Sequence, residues 1–338
     1  MTTSAEPSPV RAFAALALLS FQRHWRVRQL GWVALGLLGI VVAWVAVVSP
    51  RAWDMSEARL RRGHYPLKVE ADRLALPNRL NALGDTKRLS TLRDHEWPAP
   101  LNPTNEGLRT LFLSVPAALE RSAELKRDWG FVTFSRWVVH SVFFGFVLPL
   151  FVLSYATSAF GTDRETRSLV WLMTRPLPRG AIYLAKFVGT LPWCLAFGLG
   201  GFAAVCLAGG PFGREALARY WPAAALATVA FEALFHLVGA VFRRPSVVGL
   251  VYVFFFEVVI AVLPGSLKLL SLTYYARSLM YNEAEAAGYS VALLPMLSGQ
   301  SATTPSAVGV LLAAPVLVTL FGMWLFGRLD YRDDVRGS

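Results

Sequence analysis

The stretch GTDRETRSLVWLMTRPLPRGAIYLAK, residues 161–186, is a short charged segment between two long apolar runs, 137–160 and 187–208. It opens with acidic and basic residues, continues through the apolar patch LVWLM at 169–173, and then reads RPLPR at 175–179. A simple connecting loop does not need such an ordered arrangement. We interpret the segment as a short helix lying at a membrane surface, with one apolar side and one charged side offered to a partner.

The chain as a whole is rich in apolar residues. Of its 338 residues, 55% are hydrophobic and 16% are charged, and the mean hydropathy is +0.46. Several runs approach the roughly 20 apolar residues that a helix needs to cross a bilayer. We therefore predict an all-α polytopic membrane protein. The net charge of +11 is explained by basic cytoplasmic loops, which orient membrane spans, and we expect no nucleic-acid partner.

Six runs are apolar enough to be predicted as membrane spans: 30–48, 137–160, 187–208, 221–242, 247–263 and 307–326. Residues 1–29 precede them as a polar tail and an amphipathic helix in the membrane interface, anchored by Phe13, Phe21 and Trp25. The remainder, 30–338, is predicted to form one six-span domain.

The connections between these spans differ in length and character. Residues 49–136 are polar and in part have the apolar spacing of a helix, which predicts a helical extracytoplasmic insertion. Residues 209–220 are predicted to be a brief turn. Residues 264–305 form a second polar connection, with partial helices over 267–279. Pro149 is expected to bend or loosen the second span.

An even number of spans places both termini on the same side of the membrane. The basic N-terminal helix, residues 161–186, the turn with Arg243 and Arg244, and the basic tail then share that side. The short turn opposite carries only Arg214 and Arg219. Because basic loops stay in the cytoplasm, we predict a protein of the plasma (inner) membrane with both termini cytoplasmic.

Motifs for catalysis on nucleotides or on metals are absent from the sequence. It contains no phosphate-binding loop of the form GxxxxGK(S/T), no HExxH and no GxSxG. The chain therefore cannot hydrolyse ATP by itself. We expect it not to be an enzyme, and to hold no catalytic residue, cofactor or metal of its own.

Ionisable residues inside predicted spans are the candidates for a translocation path, because a charge at mid-bilayer costs about 2.5–3.5 kcal/mol. Glu232 and His236 are four residues apart in the fourth span and share one face, so they could interact directly. Glu257 lies in the middle of the fifth span. These groups line a polar path, or they make hydrogen bonds between helices or chains. For His140, in the second span, packing is the favoured interpretation.

Residues 161–186 resemble the cytoplasmic loop between the second and third spans of ABC-2 type transporter permeases. That loop carries an acidic residue, Gly-Thr-Leu, a second acidic residue, paired Leu, Pro, a basic residue and a Lys at the next span. The corresponding residues here are Glu165, Arg167, Ser168, Leu169, Trp171, Leu172, Arg175, Pro176, Arg179 and Lys186. Arg167 replaces the usual Gly, and Val170 replaces the second acid. The large first outer loop is similar to the permease branch associated with multicopper-enzyme maturation.

The resemblance implies the permease subunit of an ATP-binding-cassette transporter, acting as an exporter. Two permease chains, identical or different, would pair in the lipid, and separate ATPase subunits carrying ATP and Mg²⁺ would dock beneath them. Residues 161–186 would be the coupling helix. Its apolar Leu169, Trp171 and Leu172 would be buried against the ATPase, and Glu165 and the arginines would set its register.

Two other functions stay open from the residues alone. A polytopic membrane enzyme could use Glu232, His236 or Glu257 on a lipid-like substrate, and the purified chain would then show turnover without a partner. A non-transporting scaffold or sensor would instead bind an extracytoplasmic partner through residues 49–136. Neither the substrate nor the role of that insertion can be named from the sequence.

Overall fold

The computed structural model describes residues 9–26, 35–49, 130–165, 177–260, 266–287 and 301–328. Within these ranges the chain is helical, with short turns and no strand, as the composition predicted. We number the main helices in chain order: α1 Pro9–Arg26, α2 Leu35–Ser49, α3 130–165, α4 Arg179–Ala208, α5 Gly210–Val241, α6 Pro245–Val259, α7 Leu272–Ala286 and α8 Thr304–Arg328.

Four of the described helices, α3, α4, α5 and α8, are long and apolar enough to cross a membrane. Their candidate spans contain 25–32 residues, Gly130–Gly161 in the case of α3, with mean hydropathies of 1.8–2.2 over the most apolar windows. At 1.5 Å per residue, about 25 residues already exceed the ~30 Å hydrocarbon core. Helices α2 and α6 coincide with the predicted first and fifth spans but belong to a shorter class of 10–17 residues. The count of six spans therefore stays a prediction.

Several predicted boundaries are wrong because the helices continue into polar sequence. Helix α4 begins at Arg179 rather than at 187, directly after Pro178. Helix α5 begins at Gly210, so most of the expected turn at 209–220 is helical. Hydropathy reports only the apolar part of a helix, whereas the helix itself extends as far as backbone hydrogen bonding and propensity allow. A proline such as Pro178 is tolerated at the start of a helix, because the N–H groups there have no partner within the helix and the missing N–H of proline costs nothing.

Glycines make the very short connection between α4 and α5. Gly210 has φ 64°, in the left-handed region that residues with a side chain enter only at a cost. Gly213 faces the carbonyl group of Cys206 so closely that a Cβ atom would overlap it. The two helices can therefore reverse direction over Gly209 and pack side by side.

Helix α3 is wound more widely in its first half than in its second. Its backbone is π-helical over Ser135–Val147 and α-helical over Leu148–Glu165, and the Leu148 N–H bonds to the Phe143 carbonyl group five residues back. Pro149 follows directly, and its ring would crowd the carbonyl group four residues earlier in an α-helix. The distortion expected at Pro149 thus takes the form of wide turns just before it.

Apolar side chains from α3, α4 and α5 form the main buried core, together with parts of α7 and α8. Its largest members are aromatic: Phe131, Phe143, Phe144, Phe202, Phe212, Tyr220, Phe231 and Phe235. A second cluster, nearer the charged segment, contains Leu16, Ala159, Phe160, Ile182, Tyr183, Ala185, Ala240 and Phe326. This cluster joins α1, α3, α4, α5 and α8 around the ends of the charged segment.

The predicted N-terminal helix is present as α1, and it packs against α4. The Trp193 indole N–H donates to the Phe21 carbonyl group at 3.0 Å, and the two rings stack with centroids 5.2 Å apart. Leu16 is buried and Phe13 packs on the second cluster, while Leu18 is exposed. One side of α1 is thus used for packing and the other remains open, as an interfacial helix requires.

Several parts of the predictions lie outside the described residues, among them the polar tail at 1–8, the start of the first span up to residue 34, and residues 288–300 of the second polar connection. Three further parts lie outside them too. They are most of the insertion at 49–136, the middle of the charged segment at 166–176, and the C-terminal tail beyond Arg328. Residues 130–136, at the end of the expected insertion, belong to α3. The partial helices expected over 267–279 are confirmed as a 3₁₀ turn at Leu267–Leu270 followed by α7.

Candidate functional site

The charged segment 161–186 joins α3 to α4, and the structure describes its two ends. The backbone of α3 stays helical to Glu165, whose side chain lies outside the described residues. Seven further residues of the predicted ATPase-coupling set lie wholly outside the described residues: Arg167, Ser168, Leu169, Trp171, Leu172, Arg175 and Pro176. Helix α4 begins where the Pro178 carbonyl group accepts hydrogen bonds from Ala181 at 2.8 Å and Ile182 at 3.2 Å.

Arg179 is exposed in the first turn of α4. Its Nη1 lies 3.4 Å from the carbonyl oxygen of Gly327 in the last turn of α8. A guanidinium beside the C-terminal carbonyl groups of a helix is favourably placed, because these groups carry partial negative charge. The start of α4 and the end of α8 therefore lie at the same end of the bundle as the charged segment.

Lys186 is buried, with 3% of its surface exposed. It lies in the second turn of α4, and its ammonium group forms an ion pair with the carboxylate of Asp163. It also donates to the Ala159 carbonyl group at 2.7 Å and lies 4.7 Å from the centroid of the Phe160 ring. All three partners belong to the last turns of α3. Sequence reasoning missed Asp163, which looked like one more charge in a polar segment.

Glu232 is fully buried on the face of α5 that meets α4. Its Oε1 accepts a hydrogen bond from the Thr190 hydroxyl at 2.8 Å, and its Oε2 has no hydrogen-bond partner among the described residues. The Cys194 thiol lies close enough to interact electrostatically with the carboxyl group. Glu232 is thus a polar group enclosed between two helices of spanning length.

His236 follows one turn later on the same face of α5, as the four-residue spacing predicted. Its Nε2 lies 3.2 Å from the Tyr183 carbonyl oxygen in α4. The ring is surrounded by aromatic groups, with centroids at 4.7 Å for Tyr183, 4.9 Å for Phe160 and 5.6 Å for Phe187. Glu232 and His236 therefore bind different residues of α4 along a single helix interface.

Glu257 binds the N-terminus of α7. Its Oε1 accepts from the Tyr252 hydroxyl at 2.6 Å and from the Leu272 N–H at 3.1 Å. Its Oε2 accepts from the Ser271 hydroxyl at 2.7 Å and from the Thr273 N–H at 2.8 Å. Backbone N–H groups and the helix dipole both favour an anion at this position. The carboxylate therefore joins α6 to α7.

Helix α7 is held a second time through Arg277, which is buried. Its Nε and Nη2 donate to the backbone carbonyl oxygen of His140 in α3, at 3.2 and 2.9 Å. Gly145 leaves room for this contact, since a Cβ atom there would lie 3.2 Å from Nη2. Burial lowers the pKa of the Arg277 guanidinium, and its interactions with Tyr281 and Glu257 act in the opposite direction.

The His140 imidazole packs against aromatic rings, with centroids 4.7 Å away for Tyr281 and 5.8 Å for Tyr220. In the described part of the chain, no group of three or more His, Cys, Asp or Glu residues is arranged to hold a metal ion. At the N-terminal end of α5, an open cleft of about 680 Å³ is lined by Pro211, Arg214, Glu215, Ala218 and Arg219. Glu215 and Arg219 form an ion pair there at 3.0 Å.

Comparison with known proteins identifies the family. The family model described as ABC-2 family transporter protein matches residues 18–331, a range that contains every helix from α2 to α8. No curated protein matches the chain. The match confirms the resemblance seen in the charged segment and its layout, and members of this family are the membrane components of transporters powered by an ATPase subunit. The chain therefore belongs to the ABC-2 family and is an integral-membrane permease subunit of an ABC transporter.

Proposed function

We propose that the chain works as one half of an ATP-driven exporter in the plasma membrane. Two permease chains pair, each with six spans and both termini in the cytoplasm, and residues 161–186 dock on the ATPase subunit. The observation that carries this proposal is the family match over residues 18–331 in a chain without a phosphate-binding loop. The energy for transport must then enter through a partner.

The position of the charged segment supports its role as the coupling helix. It directly connects α3 and α4, and both of these helices pack against α5. A displacement of the segment is therefore delivered to two long helices at once. Its apolar patch at 169–173 is suited to burial in a groove of the ATPase, with charged residues on either side to set the register.

The interface between α4 and α5 is our candidate for the translocation path. Glu232 and His236 are enclosed there, so a substrate can reach them only if the two helices separate. The four hydrogen bonds of Glu257 favour the alternative interpretation for that residue, as a structural link to α7. The path therefore rests on Glu232 and His236.

Affinity purification in a mild detergent tests the proposal. We expect the tagged chain to retain an ATPase subunit, and Trp171→Asp to weaken this association by about 2 kcal/mol, or about thirtyfold. Glu165→Arg should act in the same direction. Glu283→Arg is the matched charge reversal, because Glu283 is exposed on α7.

Two results would contradict the proposal. One is retention of the ATPase by the Trp171→Asp chain at wild-type affinity, which would place the docking surface elsewhere. The other is turnover of a lipid-like substrate by the purified chain without any ATPase, which would favour the membrane-enzyme alternative.

A further inference from the structure

The ion pair between Asp163 and Lys186 joins the two ends of the charged segment. Asp163 lies near the end of α3 and Lys186 in the second turn of α4, 23 residues further along the chain. Their side chains are 1% and 4% exposed. The two ends of the segment are therefore tied together inside the protein, on either side in sequence of the residues that we expect to contact the ATPase.

The surroundings of Lys186 are built for a cation. The ammonium group has the Asp163 carboxylate, the Ala159 carbonyl oxygen at 2.7 Å and the face of the Phe160 ring as neighbours. Ala159 and Asp163 both lie in the last two turns of α3, toward the end of the helix that carries partial negative charge. A buried ion pair repays its desolvation only with such additional contacts, and removing one partner would leave an unpaired charge inside the protein.

Packing of α4 does not depend on this ion pair alone. Ile182, Tyr183 and Ala185 of α4 pack with Phe160 in an apolar cluster at the same level. The α1 helix contacts α4 further along. Apolar contacts resist separation of the helices but permit sliding, whereas a hydrogen-bonded ion pair has one defined register. The ion pair therefore adds a fixed register to the packing of α3 against α4.

We propose that Asp163 and Lys186 are positioning residues for coupling: their ion pair makes α3 and α4 move as one unit when the ATPase displaces the segment between them. The proposal rests on the proposed function, since it needs an ATPase docked on residues 161–186. In this role neither residue needs to contact substrate or nucleotide. Their role is to transmit the displacement of the segment without loss between the two helices.

Pulsed electron paramagnetic resonance on the complex of permease and ATPase in lipid nanodiscs tests this role. Spin labels are placed by Gly161→Cys and Val188→Cys, after both native cysteines, Cys194 and Cys206, have been changed to Ala. A Cβ atom at Gly161 meets nothing within 4 Å, and Val188 is 42% exposed, so both sites accept a label. The distance between labels is measured without nucleotide and after trapping with ATP and vanadate.

Labelled permease is diluted with unlabelled, cysteine-free permease, so that the distance measured is the one between the two labels of the same chain. With the wild-type ion pair, we expect this distance not to change on nucleotide trapping. The double variant Asp163→Asn with Lys186→Met removes the pair without leaving a buried charge, so it should fold. Nucleotide trapping should then produce a second population of distances. Lys186→Arg, made alone, retains a cation opposite Asp163. In this variant the distance within the chain should again stay unchanged on nucleotide trapping. Glu215→Gln with Arg219→Met removes the ion pair at the N-terminal end of α5 and should change nothing.

The outcomes distinguish a failure of the proposed role of the ion pair from a failure of the proposed function. If the wild-type distance itself changes on trapping, or if the double variant behaves like the wild type, the positioning role of the Asp163–Lys186 ion pair is overturned while ATPase docking stands. If no ATPase purifies with the wild-type chain, the proposed function fails, and the positioning role of the ion pair fails with it.

Discussion

At the residue scale, Glu257 and Lys186 show how neighbours decide the role of a charged side chain in apolar surroundings. In the sequence both are single charges in or beside apolar runs. In the structure Glu257 accepts hydrogen bonds from residues 14–16 positions away, and Lys186 is neutralised by a residue 23 positions away. Neither set of partners can be obtained from local patterns, because each depends on how two helices meet.

Glu257→Gln is expected to lower the free energy of unfolding by about 2–3 kcal/mol, because hydrogen bonds to a charged acceptor contribute about 1.5–3 kcal/mol each. The glutamine amide group retains one acceptor oxygen, and its NH₂ group cannot accept from the N-terminus of α7. Far-UV circular dichroism during a denaturant titration in micelles measures the loss. Glu283→Gln, at an exposed position of α7, is the control. Equal stability of the two variants would show that the carboxylate contributes nothing at this position.

At the element scale, α1 and α4 approach each other so closely that a glycine is required. A Cβ atom at Gly189 would lie 2.7 Å from both the Ala17 carbonyl oxygen and the Ser20 Cβ atom. Because these are backbone and first side-chain atoms, they cannot turn aside. Composition predicted an amphipathic helix at the N-terminus, but only the packing shows that it is docked on the third predicted span.

Gly189→Leu is expected to displace α1 from α4, since overpacking costs about 1–3 kcal/mol. Amide hydrogen exchange in α1 should accelerate about tenfold, as expected for a loss of about 1.4 kcal/mol. Gly200→Leu is the matched control on the same helix, because a Cβ atom at Gly200 meets nothing within 4 Å. Unchanged exchange in α1 of the Gly189→Leu chain would mean that the helix is not held by this contact.

At the scale of the whole molecule, the outer surface shows how the bundle is used. Large apolar side chains are exposed along α6 and α8: Val247, Leu250, Val251, Phe254, Phe255, Leu312, Val316, Leu317, Leu320, Phe321 and Trp324. A soluble monomer rarely exposes such continuous apolar faces. In an integral-membrane permease these faces are suited to lipid or to a second permease chain, and our proposed dimer would use part of them.

Cysteine labelling tests the predicted orientation in the membrane. Helix α5 runs from Gly210 to Val241, so Arg214 and Arg244 lie near its opposite ends, and both are exposed. In a chain without its two buried native cysteines, Arg214→Cys should react with a membrane-impermeant maleimide in intact cells. Arg244→Cys should react only in inverted vesicles. The reverse pattern would place both termini outside the cell and would exclude docking of residues 161–186 on a cytoplasmic ATPase.

By itself, the sequence determined the helical membrane class, the approximate positions of the four described helices that are long enough to span a membrane, the N-terminal helix and the family to which the chain belongs. These depend on local sums of hydropathy and on short motifs. It did not determine where α4 and α5 begin, because a helix continues past its apolar residues. Only the tertiary structure decided that Lys186 is bound to Asp163 and that Glu257 binds the N-terminus of α7. A buried charge is stabilised by partners that the fold brings from distant positions, and no local pattern contains that information.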